Sequence, residues 1–252
     1  MTPNQVVAAL QLPAGCQVDQ RVAKKLLVEH GAPTAADKRR INEGVEDLYW
    51  VATLKPTTVG VPAFRDGVRE YLEIAVMSAA LRADADVTRL VELIHRAIPY
   101  PVVLVSAQAG MLELSVAHKR ASQGSAGATV LDGSVVATST GAASGDPFEP
   151  AFLDALSISR QPRADLFALY DGWMNAVYAV HAARVTGTFG VAATPESARA
   201  RRDALQEYAR LNTEIARLRT AALRERQLSR QVALNLQLKR AEQQRSAASR
   251  DL

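Results

Sequence analysis

Length, composition and charge already exclude several classes of protein. The chain has 252 residues, of which 48% are hydrophobic and 22% are charged, as in an ordinary soluble globular protein. No apolar run approaches the ~20 residues that cross a bilayer, and the first residues lack the basic and apolar segments of a secretory signal. A single cysteine, Cys16, excludes an internal disulfide bond, so we expect a cytoplasmic protein.

The positive charge is concentrated near the C-terminus. The whole chain has a net charge of +4, whereas residues 199–250 contain 13 Arg or Lys and 5 Asp or Glu, which leaves the remainder mildly acidic. A basic segment attached to an acidic body indicates an acidic partner for that segment, either nucleic acid or an acidic protein surface.

The first clear element in chain order is a helix that ends before Pro56. Thr34, followed three residues later by Asp37, fits a capping box. Apolar residues then recur at helical spacing from Ile41 to Ala52, with charged residues off that stripe. Together these signals predict one continuous helix.

Alternating strands and helices are predicted over the next hundred residues. The hydrophobic periods and turn residues predict, in order, a strand over 71–78, a helix over 86–98 capped by Asp86 and ended by Pro99, a buried strand over 102–106 and a strand over 111–119. A second hairpin is predicted to turn at Asp132-Gly133. The small-residue stretch 137–147 is predicted to be a flexible link.

The C-terminal half has the pattern of helices. Segments 149–158 and 164–185 predict a short helix and a longer one. Thr194 as N-cap and Pro195 at the first helical position begin the last helix, which is predicted to continue to about residue 244.

That last helix carries a heptad seam flanked by basic residues. The seam is formed by Tyr208, Leu211, Ile215 and Leu218; its register shifts past Ala222 and resumes at Leu228, Val232 and Asn235. The basic residues predicted to contact a partner are Arg210, Arg217, Arg219, Arg224, Arg226, Arg230, Lys239 and Arg240. Two interpretations stay open, a solvated helix face or a coiled-coil arm that binds phosphate or acidic side chains.

His95 is the first candidate for catalysis. It lies at the end of a predicted helix, where a histidine interacts favourably with the helix dipole. A catalytic histidine needs a partner within hydrogen-bond reach, and the neighbouring sequence supplies none. We therefore interpret "HRAIPYPVVLV" as the hinge between a helix and a buried strand.

A metal-dependent nuclease is the alternative enzymatic interpretation. Glu73 and Glu113 on neighbouring strands are the candidate metal-binding carboxylates, and Lys119 is the candidate cation for an attacked phosphate. The restriction-enzyme pattern requires a lysine two residues after the strand glutamate, and Ser115 occupies that position. No Cys and His spacing fits a zinc site, so neither a metal nor a cofactor is expected.

Several stretches resemble a bacterial family known as domain of unknown function 4391. They are "GAPTAADKRRINEGVEDLYW", "LKPTTVGVPAFRD", "REYLEIAV", "HRAIPYPVVLV", "LSVAHKR" and the C-terminal "ERQLSRQVALNLQLKRAE". The resemblance implies an accessory protein encoded beside DNA helicases, methyltransferases and restriction-type systems in anti-phage islands. It carries over no catalytic residues.

These observations predict an α+β protein in three parts. Residues 1–143 form a mixed domain with a small, mainly antiparallel sheet, residues 144–193 a helical connector, and residues 194–252 a long basic helical arm. The expected function is that of a non-enzymatic accessory protein that docks on DNA, or on a DNA helicase or methyltransferase assembly, through this arm. Self-association through the seam is a further possibility.

Overall fold

The computed structural model describes residues 2–124, 127–141 and 145–252. The chain is an α+β protein, as predicted, and divides into two compact units, Met1–Val177 and Tyr178–Leu252. The predicted boundaries at residues 143 and 193 stay predictions, and the first of them lies outside the described ranges. No helix in the described part of the chain is both long enough and apolar enough to cross a membrane.

The helices and strands are numbered in chain order. The helices are α1 (Pro3–Ala9), α2 (Lys24–Gly31), α3 (Ala35–Gly44), α4 (Pro56–Val59), α5 (Val87–Ala97), α6 (Glu149–Ala155), α7 (Leu166–Thr186), α8 (Pro195–Arg224) and α9 (Leu228–Ala248). The strands are β1 (Gln17–Arg21), β2 (Val45–Leu54), β3 (Phe64–Arg65), β4 (Glu70–Tyr71), β5 (Ile74–Leu81), β6 (Val102–Gln108), β7 (Met111–Ala117), β8 (Lys119–Ala121), β9 (Thr129–Leu131) and β10 (Val136–Thr140).

Within the described residues, the first unit is built on a six-stranded mixed sheet. Its strand order is β1-β2-β5-β6-β7-β10, and every neighbouring pair is antiparallel except β5 and β6. Parallel neighbours cannot be joined by a tight turn, so α5 makes the crossover between them. The sheet is mainly antiparallel, as predicted.

The helix α5 packs its apolar stripe against one face of this sheet. Leu90 and Ile94 of α5 are buried against Met77 of β5 and Leu104 of β6, together with side chains from α2 and α3. Asp86 caps the helix as predicted, because its carboxylate accepts a hydrogen bond from the backbone N–H three residues later. Burying each large apolar side chain stabilises the unit by roughly 1.5–3 kcal/mol.

The helix predicted up to Pro56 ends instead at Gly44. Its start is confirmed, since the Thr34 hydroxyl accepts a hydrogen bond of 3.1 Å from the Asp37 backbone N–H. From Val45 the chain forms β2, which pairs with β1 on one side and β5 on the other. This segment is rich in β-branched and aromatic residues, and sheet pairing outweighed the helical spacing of its apolar residues.

The hairpin predicted at Asp132-Gly133 is also wrong. The two flanking strands do not pair with each other, since β9 pairs with β8 and β10 pairs with β7. The Asp132 carboxylate instead binds Arg69, with Nη2 to Oδ2 at 2.5 Å. β10 also occupies residues at the start of the predicted flexible link, of which residues 142–144 lie outside the described ranges.

The last predicted helix is two antiparallel helices, α8 and α9, that pack against each other. Thr194 caps α8 as predicted, but the helix ends at Arg224 and the backbone of Glu225 is extended. The chain then reverses and continues as α9. We refer to α8 and α9 together as the helical hairpin.

Candidate functional site

His95 is completely buried, which supports the hinge interpretation. Its Nε2 lies 3.0 Å from the Ser115 hydroxyl, and its Nδ1 has no hydrogen-bond partner among the described residues. Burial, assisted by the cation of Lys119, lowers the pKa of His95 to about 3. The side chain is therefore a neutral core group at neutral pH, and no substrate can reach it in this structure.

Lys119 is buried and caps the C-terminus of α5. Its ammonium group donates hydrogen bonds to the backbone carbonyls of His95 and Ile98, the second at 2.8 Å. These carbonyls belong to the end of the helix, where the backbone leaves acceptors without helical partners. Burial, together with the nearby positive charge of Arg96, lowers the pKa of Lys119 to about 8. Lys119, the candidate catalytic lysine, thus caps the end of a helix through hydrogen bonds.

The structure does not bring the two nuclease carboxylates together. Glu113 on β7 pairs with Ser106 of β6. Glu73 lies two residues before Ala75, which pairs with Val102 at the other end of β6. Four residues of β6 separate these two positions, so the carboxylates are more than about 13 Å apart along the strands. Metal ligands lie within about 2.6 Å of their ion. Glu73 instead forms an ion pair of 3.2 Å with Lys55.

Within the described part of the chain, no three His, Cys, Asp or Glu side chains are placed to hold a metal ion.

A polar chain that sequence reasoning missed links Tyr71, His118 and Asp171. The Tyr71 hydroxyl lies 2.6 Å from His118 Nδ1, and His118 Nε2 lies 3.1 Å from an Asp171 carboxylate oxygen. The Asp171 carboxylate only accepts hydrogen bonds, so His118 donates to it through Nε2. In the tautomer protonated at Nε2, His118 Nδ1 accepts from the Tyr71 hydroxyl, which also accepts from the Lys119 backbone N–H. Burial of Tyr71 raises its pKa, which keeps the hydroxyl protonated.

This polar chain connects three elements of the first unit and is shielded by an aromatic ring. Phe167 stacks on the imidazole of His118, with ring centroids 5.0 Å apart. The bonded pairs Tyr71–His118 and His118–Asp171 are 47 and 53 positions apart in the sequence, so no local spacing predicts these hydrogen bonds. Tyr71 is fully buried, so its hydroxyl is not accessible to a substrate.

The predicted seam residues of α8 pack against α9 within the same hairpin. Leu211, Ile215 and Leu218 of α8 are buried against Leu238 and Ala241 of α9, and Tyr208 packs at the edge of this cluster. The same side chains are therefore not free to pair with a second copy. Leu228, Val232 and Asn235, the predicted continuation of the seam, do not pack within the hairpin, because their side chains are exposed.

The eight basic residues predicted to contact a partner fall into two groups. Three are neutralised within the hairpin: Arg210 by Glu207, Arg217 by Glu214 and Arg219 by Glu242, at 2.6–2.7 Å. The other five form no side-chain ion pair among the described residues: Arg224, Arg226, Arg230, Lys239 and Arg240. The positive charge that the sequence predicted along the whole arm is thus uncompensated mainly from Arg224 onward.

Exposed apolar side chains accompany these five cations. Leu223 is 86% exposed, Leu228 75%, Val232 52% and Leu236 55%. The last three are spaced by four residues, so they form one stripe along α9, and Lys239 continues this face. We call these four apolar residues and the five uncompensated cations the tip surface.

The comparison with protein families gives one match. The model described as Domain of unknown function (DUF4391) matches residues 10–244. The chain belongs to this family. No curated protein and no solved structure matches it. Membership of this family assigns no activity.

Proposed function

We propose that this protein is a non-enzymatic interaction protein that docks on a partner protein through the tip surface of its helical hairpin. The observation that carries the proposal is the stripe of Leu228, Val232 and Leu236 beside cations without ion-pair partners. Exposed apolar patches with a polar rim are typical of protein interaction sites. The uncompensated cations favour a partner with an acidic surface.

The apolar stripe favours a protein over DNA as the partner. Phosphate contacts need cations and hydrogen-bond donors, and they supply most of the sequence-independent affinity for DNA. Leucine and valine side chains contribute nothing to phosphate binding, yet this stripe exposes three of them in consecutive turns. An amphipathic acidic helix would cover the stripe and neutralise the flanking cations at the same time.

The partner belongs, in this proposal, to a DNA-acting assembly. The family resemblance makes a helicase or methyltransferase of an anti-phage defence system the first candidate. The protein then acts in the cytoplasm as an accessory subunit, and its own chain performs no chemistry.

The test is co-purification from the native host with the full-length protein and two variants of matched design. The stripe variant carries Leu228→Gln, Val232→Gln and Leu236→Gln, which preserve helix propensity and remove apolar area. The control variant carries Arg210→Gln and Arg217→Gln, which removes cations already neutralised within α8. We expect the stripe variant to lose the partner and the control variant to retain it.

Two results would overturn the proposal. One is retention of the same partner by the stripe variant with unchanged affinity. The other is tight binding of the purified protein to duplex DNA that weakens steeply with salt and depends on Arg224, Arg226 and Arg230. Each lost phosphate contact lowers the salt slope by about 0.9. That outcome would assign the tip surface to DNA.

A further inference from the structure

The first unit contains a cleft that neither the hairpin nor the buried polar chain explains. It has a volume of about 850 Å³ and is bounded by the end of α2 with the loop that follows it, the outer face of α5, and Arg120 together with side chains from residues 129–135. This volume lies within the range of roughly 300–1,000 Å³ typical of sites for small molecules. Arg96 and Arg120 reach the cleft from two different walls.

The wall formed by α5 carries one positive charge in excess. Asp37 accepts two hydrogen bonds of 2.9 Å from Arg89 and is also approached by Arg40 at 3.5 Å. Glu92 bridges Arg89 at 2.7 Å and Arg96 at 2.8 Å. Two carboxylates thus serve three guanidinium groups, and Arg96 lines the cleft together with its partner Glu92.

The opposite wall also carries one positive charge in excess. Asp132 is engaged by Arg69 at 2.5 Å and lies 3.8 Å from Arg120. One carboxylate therefore serves two guanidinium groups, and the weakly paired Arg120 lines the cleft. The remaining acidic group of the lining outside these networks, Glu29, is paired with Lys25 at 3.6 Å.

The cleft is therefore lined by two guanidinium groups, Arg96 and Arg120, each of which belongs to an ion-pair network with one cation in excess. A planar guanidinium group can donate two parallel, charge-assisted hydrogen bonds to the oxygens of one phosphate. Thr88 and Ser134 supply further hydrogen-bond donors. The described lining residues include no Phe, Tyr or Trp side chain and one imidazole, that of His30, so recognition would depend on an anionic group more than on stacking.

We propose that this cleft binds a small molecule that carries a phosphate group, held between Arg96 and Arg120. The site is formed entirely by the first unit, so it is independent of the role assigned to the tip surface. A small ligand fits the concave shape of the cleft. Binding of an extended nucleic-acid backbone at the same cleft is the alternative that the test distinguishes.

The test is calorimetric titration of the full chain with inorganic phosphate, pyrophosphate and adenosine monophosphate at constant ionic strength maintained with chloride. We expect saturable binding of at least one probe with a Kd on the order of 1 mM or tighter. Arg96→Gln and Arg120→Gln should each weaken it about tenfold, which corresponds to about 1.4 kcal/mol. Arg39→Gln is the matched control, because Arg39 is exposed and paired with Glu43 outside the cleft.

Substitution by lysine keeps the test valid if a glutamine variant folds poorly. Arg96→Lys and Arg120→Lys retain the charge but lose the planar fork, so each should still weaken binding relative to the control. Absence of binding by all three probes, or equal binding by the cleft variants and the control, would overturn the proposal. So would competition by duplex DNA that requires Arg96 and Arg120, since the cleft would then contact a nucleic-acid backbone.

Discussion

The buried His95 should make the first unit sensitive to mild acid. In the folded chain its pKa is lowered from the ordinary 6.5 to about 3, mainly by burial. Between these values the unfolded chain binds a proton that the folded chain does not, so stability falls as the pH falls below 6.5. The perturbation is the double substitution His95→Leu with Ser115→Ala, which removes the imidazole and also the hydroxyl that it would leave unpaired.

The expected magnitude follows from proton linkage. Below pH 6.5 the loss approaches about 1.4 kcal/mol per pH unit, and it amounts to about 2 kcal/mol between pH 7 and pH 5. Carboxylates such as Asp37, whose pKa is lowered by hydrogen bonds from Arg89, contribute only at more acidic pH. The double variant should therefore lose about 2 kcal/mol less than the wild type over this interval.

Urea unfolding monitored by tryptophan fluorescence is a suitable assay, because both tryptophans, Trp50 and Trp173, lie in the first unit. Ser115→Ala alone is the control, since it retains the buried imidazole and should keep the wild-type pH dependence. If the wild type and the double variant lose stability in parallel between pH 7 and pH 5, His95 is not a buried neutral group and the hinge interpretation fails.

Three further predictions concern other buried contacts. The pKa of Lys119 is lowered from 10.5 to about 8, so the unfolded chain binds more protons between these values. Stability of the wild type relative to Lys119→Met should therefore rise by about 2 kcal/mol from pH 7.5 to pH 9.5 in urea titrations; a flat difference would contradict this. A methyl group at Gly44 would lie 2.6 Å from a leucine methyl group of α5, whereas one at Gly15 would meet no atom within 4 Å. Gly44→Ala should cost about 1–3 kcal/mol in chemical denaturation and Gly15→Ala far less, and equal costs would refute the close packing. Leu218 is buried in the hairpin and Leu236 is exposed. Leu218→Asp should reduce the helical circular dichroism signal and Leu236→Asp should leave it unchanged, whereas the reverse would invert the assigned faces.

The parts of the fold that local chemistry dictates were predictable. Helix α5 was readable because Asp86 caps it and its apolar residues recur at one spacing, and the start of α8 followed from Thr194 and Pro195. Residues 45–54 were not readable as a strand. Their apolar spacing fits a helix, and the partners that make them a strand lie in β1 and β5.

The position of the hairpin turn was only partly readable. No glycine or proline marks the end of α8 at Arg224, and the shift of the heptad register past Ala222 was the one available signal. That shift indicated an interruption without indicating that the chain reverses. The sequence therefore does not show which of the eight predicted contact residues have intramolecular partners.

The buried sites could not have been predicted from spacing. The Lys119 ammonium group contacts carbonyls more than 20 residues away, and the two walls of the cleft come from separate parts of the chain. Charge balance around the cleft depends on ion pairs such as Arg89 with Asp37, which are 52 residues apart. Composition gives the total charge, whereas only the folded arrangement shows where it is uncompensated.

The contact between Lys119 and the end of α5 has a consequence for how the sheet is assembled. Lys119 lies two residues after the end of β7, and side chains alternate along a strand, so a shift of one residue in the pairing of β7 with β6 would turn Lys119 away from the end of α5. The backbone carbonyls at the end of α5 would then lack their hydrogen-bond donor, and the Lys119 ammonium group would be buried without these acceptors. The contact of Lys119 with the end of α5 thus favours the native register over one that is shifted by one residue.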